Sequence, residues 1–481
     1  MSGEANYDRT LTPERALLLV FLVVLAWAPF PYGSNRAWAE LALGLGFGAI
    51  LLAWSGVALT GFATVSPMNR RLILPGLCVG GALAWAFLQS LDLTAFAQSS
   101  GLDIRALAHP VWSMATAALA EGTGTYISVD PESTRQAIFA AALSVAAFLI
   151  AFELARDRDR ATLLLSGVIV IGFLYAAAAI ASFYLKVDYQ SWLMPDPKPD
   201  SGRVNGPFVN PNHFATFLSV AAIAGFGLFA EGLRQAIIWD RGARVFFRTA
   251  LQALTGVNAL WLAALVAILS ALLLTQSRGG VIAFFAGTIA LLVALSVGRK
   301  WSNGEATGQR AMAALVFAVL GIAAALSADP LLGRVRDQGA TDDARASLAV
   351  STINAIEAAP LLGHGFGAFQ RYYPLFADGT VQGDVDEAHN DLLETLADLG
   401  LPAGLAFMAG PMLLAGMCFA GCLRRRRDSL FPAVGFAASV AVGLHALVDF
   451  SLQVPAVAVT YSAILGLGVA QSWRTNMDLV R

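Results

Sequence analysis

Apolar stretches long enough to cross a bilayer recur along almost the whole chain, and each one commits its residues to a helix in lipid. Taken in order, they place spans near 16–30, 38–60, 72–90, 136–154, 161–185, 212–230, 253–275, 279–298, 311–328, 401–423, 432–450 and 455–473. The expectation is an all-α integral membrane protein with about twelve transmembrane helices. A large, partly helical polar segment lies between the ninth and tenth. Ala26-Trp27-Ala28 imitates a signal-cleavage pattern, but Pro29 and the many later runs favour an uncleaved first span. Composition agrees: 57% of the 481 residues are hydrophobic, 13% are charged, and mean hydropathy is +0.65.

Orientation follows from the arginines and lysines. With the N-terminus inside, the majority of the 31 basic residues fall in inner segments, including the Arg424–Arg427 run. The positive-inside rule then puts both termini in the cytoplasm and the loops 91–135, 186–211 and 329–400 outside. A net charge of −2, with no interleaving of basic and aromatic residues, excludes a nucleic-acid partner. Cys78, Cys418 and Cys422 read as small membrane-helix residues, and the five histidines lack metal-ligand spacing.

The most informative polar stretch is Glu387-Ala388-His389-Asn390-Asp391 and the leucine-rich run to Gly400 and Pro402. Asp391 is placed to cap a helix, with Glu394 closing a capping box and the glycine and proline ending it. His389 then sits just ahead of a helix N-terminus, whose positive end disfavours an imidazolium and suits a general base. Asp384, Asp386, Glu387 and Asp391 surround it. They read as a solvated acidic face, with a divalent cation near Asp384, Asp386 and Glu387 as the alternative; calcium-loop spacing fails after Asp386.

Other outer segments add candidates. Arg203, Asn210, Asn212 and His213 lie in a Gly-, Pro- and Asn-rich boundary that is either an ordinary turn or a donor set for sugar or phosphate. Arg278 is wedged in a tight hairpin, where it either snorkels to headgroups or grips a diphosphate. Arg345 lies in the first turn of a helix, to pair with Asp342 or Asp343 or to hold a phosphate. Gly363, Gly365 and Gly367 have no strand before them and read as a turn packed close to its neighbours. His445 and Asp449 share a face near the outer end of span eleven, as a functional pair or a structural hydrogen bond.

The order Asn210-Pro211-Asn212-His213, Ser277-Arg278-Gly279, Arg345, Pro360-Leu361-Leu362-Gly363-His364-Gly365 and His389-Asn390-Asp391-Leu392-Leu393-Glu394 resembles the O-antigen ligase and polysaccharide polymerase (Wzy-type) superfamily of bacterial inner membranes. The resemblance covers about residues 200–470. It implies a periplasmic-side glycosyltransferase that takes a glycan from an undecaprenyl-diphosphate carrier. The acceptor would be lipid A core, a growing polysaccharide or a protein. It further implies His389 as the base and Arg278 and Arg345 as diphosphate ligands, with no metal or other cofactor. Asn390 enters as a neighbour of the base. On this reading residues 1–200 form the first spans and their loops, 201–473 the ligase-like domain, and 474–481 a cytoplasmic tail. The rival class is a secondary transporter or flippase of a lipid-linked glycan, which would carry its ionisable residues at the midplane. The candidates gather instead in outer loops and span ends.

Overall fold

The computed structural model describes residues 12–94, 104–119, 124–186, 202–236, 243–297, 339–381, 385–425 and 429–473. The ninth expected span, 311–328, lies outside them, as do Asp384, Arg426 and Arg427. Among the described residues the chain is helical throughout and forms no strand.

The helices are α1 (Pro13–Trp27), α2 (Ala37–Leu59), α3 (Ile73–Gln89), α4 (Pro110–Leu119), α5 (Pro131–Leu154), α6 (Arg158–Leu185), α7 (Pro211–Ala236), α8 (Ala243–Ala253), α9 (Val257–Leu274) and α10 (Arg278–Ser296). They continue with α11 (Gly339–Ala358), α12 (Asp391–Leu399), α13 (Leu401–Arg424), α14 (Leu430–His445) and α15 (Pro455–Ala470). By length and composition, α2, α3, α5, α6, α7, α9, α10 and α13 can each cross a membrane, and α14 and α15 are shorter apolar helices. Their starts follow local chemistry: Thr12, Asp130, Asp157 and Ser277 each cap the helix they precede, two of them ahead of a proline. Span eleven is shorter than its hydropathy suggests. The helix stops at His445, so Asp449 lies in a connection, 446–454, ahead of α15.

Burial sorts the helices into hub and perimeter. The apolar window of α7 is 94% buried inside the protein, against 17% for α2, so α7 is the hub. Around it pack α6, α9, α10 and α14, while α15 packs on α5 and α13 on α3.

The polar segment is anchored to one end of this bundle. The turn 360–365 folds back on the end of α12, where His364 N donates to Ala397 O (3.0 Å) and Gly365 N to Asp398 O (3.0 Å). Only glycine fits there: Gly363 has φ +69°, and a Cβ on it would stand 2.2 Å from Asp398 O. The expectation of a closely packed turn is met. From α3, Gln89 donates to Leu362 O (2.7 Å) and Asp398 O (2.9 Å), and Trp85 to Leu399 O (3.0 Å). A small core of Leu348, Ala355, Phe369, Tyr372 and Ala397 completes the segment.

Candidate active site

The N-terminus of α12 carries the site, and its cap differs by one residue from the sequence reading. Asn390 is the N-cap, with Oδ1 accepting from Leu392 N (3.1 Å) and Leu393 N (3.0 Å). Asn390 Nδ2 meanwhile donates to Leu447 O (2.9 Å), so one side chain both starts the helix and ties it to the 446–454 connection. Asp391, expected as the cap, is instead the first helical residue and is buried. Its N–H donates to Ala446 O (2.9 Å), and its Oδ2 accepts from Leu452 N (3.2 Å).

These contacts set His389 against Asp449. His389 has φ +54°, a left-handed backbone uncommon for a residue with a Cβ, and its Nδ1 stands 3.3 Å from Asp449 Oδ1. The carboxylate fixes Nδ1 as the donor and leaves the lone pair on Nε2. Asp449 is fully buried. Its Oδ1 also accepts from Phe450 N (2.9 Å), and Oδ2 has no partner among the described residues. Although burial pushes that carboxyl up, the hydrogen bond from His389 and the surrounding histidines outweigh it and hold Asp449 below the usual carboxylate range. The field of the helix end therefore does not act alone on the His389 ring.

His213, at the start of α7, places Nε2 3.9 Å from the same oxygen. Phe450 lies edge-on between the two histidines, its ring centroid 4.5 Å from that of His213 and 5.0 Å from that of His389. His445 meets Asp449 through the backbone, Asp449 N donating to His445 O (3.0 Å), while its ring turns elsewhere. Its Nδ1 meets Thr216 Oγ1 and, at 3.2 Å, Ser451 Oγ.

The arginines stand on α10 and α11. Arg278 is the first residue of α10, exposed, one position after the Ser277 cap. Its neighbour Gly279 lies so close to His445 that a Cβ there would be 2.9 Å from the ring. Arg345 is exposed on α11, which starts at Gly339 and so holds it in the second turn rather than the first. The side chains of Asp342 and Asp343 are outside the described residues. Arg203 serves as a brace: Nε donates to Thr275 O (2.7 Å) and an Nη to Asn212 Oδ1 (3.1 Å), while Asn210 Oδ1 accepts from Asn212 N (2.9 Å). This brace holds the loop carrying His213 to the hairpin carrying Arg278.

The acids overturn the expectation of a solvated face. Asp386 is exposed and accepts from Gln370 (2.7 Å). Glu387, Asp391, Glu394 and Asp398 are withdrawn from water on the inner side of α12, while Leu392, Leu393 and Leu396 stay partly exposed. Burial, reinforced by mutual repulsion, drives the Glu387 carboxyl well above its ordinary range, and burial raises Glu394 beside it. Two buried carboxyls in contact share a proton, with Glu387 donating toward Glu394. Glu394 Oε2 accepts from Ala388 N (2.7 Å), and the Gln453 side chain also hydrogen-bonds to this carboxylate. Asp398 accepts from Tyr372 OH (2.8 Å) and Gly367 N (2.6 Å). Among the described residues no three His, Cys, Asp or Glu side chains are grouped as metal ligands would be. The sequence signal for this cluster was the i, i+3, i+7 spacing of Asp391, Glu394 and Asp398, which puts all three on one helix face.

A second histidine pair locks the loop before α5. His364 Nε2 donates to Ala355 O (2.8 Å), so its Nδ1 accepts from His109 Nε2 (3.0 Å), and His109 Nδ1 accepts from Val111 N (3.2 Å). Every position in this chain requires neutral rings. Burial, with the neighbouring His364, holds His109 down to about 4.

Residues 263–408 match a family model described as O-antigen ligase. The matched region runs from α9 into α13 and contains Arg278, Arg345 and His389, whereas Asp449 and His445 follow it. No curated protein matches the chain. A multi-pass helical bundle and this match agree, and the O-antigen ligase domain at residues 263–408 supports the O-antigen ligase and polysaccharide polymerase superfamily.

Proposed function

We propose that the protein transfers a glycan from an undecaprenyl-diphosphate carrier to an acceptor hydroxyl at the periplasmic face of the bacterial inner membrane, with both termini in the cytoplasm. The observation that carries this reading is His389 held by buried Asp449 at 3.3 Å. His389 Nε2 removes the acceptor proton as the acceptor oxygen forms a bond to the anomeric carbon. The bond from that carbon to the carrier phosphate breaks, and the electron pair leaves with the diphosphate. Asp449 stabilises the imidazolium, and Arg278 and Arg345 stabilise the departing anion. A single displacement inverts the anomeric centre, and each charge that develops has a counterpart in the chain itself. Lipid A core and a growing carrier-linked polysaccharide are the acceptor classes this chemistry serves.

The test is a cell-envelope glycan profile of a deletion strain complemented with wild type or His389→Ala. Single repeats on lipid A with no long polymer identify a polymerase, and polymer stranded on its carrier identifies a ligase. Full restoration by His389→Ala, with the protein present in the membrane, refutes the base assignment.

A further inference from the structure

Two buried polar atoms of the site have no hydrogen-bond partner among the described residues, and they sit on neighbouring side chains: Asp449 Oδ2 and His213 Nε2. His213 Nε2 stands 3.9 Å from Asp449 Oδ1, about 1 Å outside hydrogen-bond range. His213 is 5% exposed and Asp449 0%, so bulk water does not reach either. Unpartnered polar atoms are uncommon inside a folded chain, and hydrogen bonds used in catalysis are often long in a free enzyme and tighten around the substrate. Three pieces of chain meet here. His213 opens α7, the hub, where Pro211 starts the helix and Asn210 O accepts from His213 N (3.2 Å). Asp449 comes from the 446–454 connection and His389 from the polar segment, and the Phe450 ring stands edge-on to both imidazoles.

We propose that His213 is a positioning residue of this site, donating from Nε2 to Asp449 so that the carboxylate stays aimed at His389 while His389 takes up the acceptor proton. This rests on the transferase reading above and adds a third member to the same site. An ionised carboxylate only accepts, so the ring nitrogen turned toward it is the one that carries the proton. Asp449 Oδ1 already receives His389 Nδ1 (3.3 Å) and Phe450 N (2.9 Å), and Oδ2 receives nothing among the described residues. A carboxylate held by one oxygen can turn about its Cβ–Cγ bond, and that turn would carry Oδ1 away from the His389 ring. A donor fixed to the hub helix opposes the turn. No bond to hydrogen changes at His213: its proton stays on Nε2, and the acceptor proton leaves from His389, whose side chain is 33% exposed. The competing role for His213 is packing against Phe450, at 4.5 Å between ring centroids, which uses the shape of the ring and no proton.

Two variants separate these roles. His213→Phe keeps an aromatic ring against Phe450 and removes the donor, whereas His213→Gln offers an amide N–H near the same point. In reconstituted bilayers His213→Phe is expected to lower kcat about tenfold with acceptor and carrier-glycan KM unchanged, the worth of one hydrogen bond to a charged group. His213→Gln should recover all but about threefold. In an Asp449→Ala background His213→Phe should cause no further loss, because the ring acts only through the carboxylate. Equal losses in the Phe and Gln variants, or an undiminished loss in the Asp449→Ala background, would assign His213 to packing and overturn the proposal. A rise in either KM with kcat unchanged would make it a substrate ligand and overturn it too. A second measurement does not depend on turnover: nitrogen NMR of the full-length protein in bilayers with 15N-labelled histidine. The chain has five histidines, so the His213 signals are identified by their absence in His213→Phe. Nε2 is expected to be protonated in wild type and its signal to move in Asp449→Ala. Protonation at Nδ1 instead, or a signal that Asp449→Ala leaves unmoved, would overturn the proposal. The two readings fail separately: full transfer by His389→Ala sinks the base assignment and leaves the His213 signals standing. Transfer lost in His389→Ala with unmoved His213 signals does the reverse.

Discussion

Replacing Asp449 with Asn keeps the shape of the side chain and removes the charge that faces His389. Two unit charges 3.3 Å apart at an effective dielectric of 20 interact by about 5 kcal/mol. The charge is spread over two ring nitrogens and two oxygens, and a third of the His389 side chain is exposed, which roughly halves that figure. About 2–2.7 kcal/mol of transition-state stabilisation is therefore at stake, a loss of roughly 30–100-fold in kcat. The assay is transfer in reconstituted bilayers from purified carrier-linked glycan, with Asp449→Asn, His389→Ala and the double variant measured together. The double variant should be no slower than His389→Ala alone, since the carboxylate acts only through the ring. Full activity in Asp449→Asn, or independent multiplicative losses in the double variant, would refute the coupling.

Arg278→Ala and Arg345→Ala should each slow transfer by about 10²–10³-fold, as removal of one anion-stabilising donor does, with unchanged thermal stability. A loss traced wholly to unfolding in a melting scan would remove them from the chemistry. Glu394→Gln should remove a pH dependence of stability. A carboxyl raised in the folded state stabilises while protonated, at pH below its unfolded value near 4.3, and loses that contribution as pH rises through its folded value. Melting temperatures from pH 5 to 9 in wild type and variant check this, and parallel curves would contradict it. The His109–His364 lock runs the opposite way, since His109 is held down to about 4 and its contribution is lost as pH falls from the unfolded value near 6.5 toward 4. Hydrogen exchange at residues 104–119 should accelerate over that window, and pH-independent exchange would oppose it. Gly363→Ala should destabilise the segment by roughly 1–3 kcal/mol or more from its positive φ alone, read as a lower melting temperature.

Hydropathy alone made the bundle legible because each span must satisfy its backbone internally and present apolar side chains to lipid. The boundaries of α2, α3 and α13 lie within a residue or so of the expected runs. Span eleven was misjudged because the apolar character of 446–450 continues past the helix end at His445. His389 and Asn390 were readable as a helix start, although the cap itself falls on Asn390. The partner of His389 was not readable, since Asp449 lies 60 positions away and its spacing advertised His445 instead. The acids were misread for a general reason: carboxylates are rarely buried, so an acidic stripe is taken for a wet one. Here the stripe of Asp391, Glu394 and Asp398 faces inward, and its partners are distant in the sequence, which no local pattern announces.

The proposed base and the carboxylate beside it belong to separate pieces of chain. His389 comes with the polar segment and Asp449 with the end of a span. They meet because Asn390 Nδ2 reaches Leu447 O, Asp391 N reaches Ala446 O, and Asp391 Oδ2 receives Leu452 N. Lifting α12 off this connection by a few ångströms separates the pair as surely as deleting one member. On the proposed mechanism an oriented base therefore depends on these three contacts as much as on His389 and Asp449 themselves.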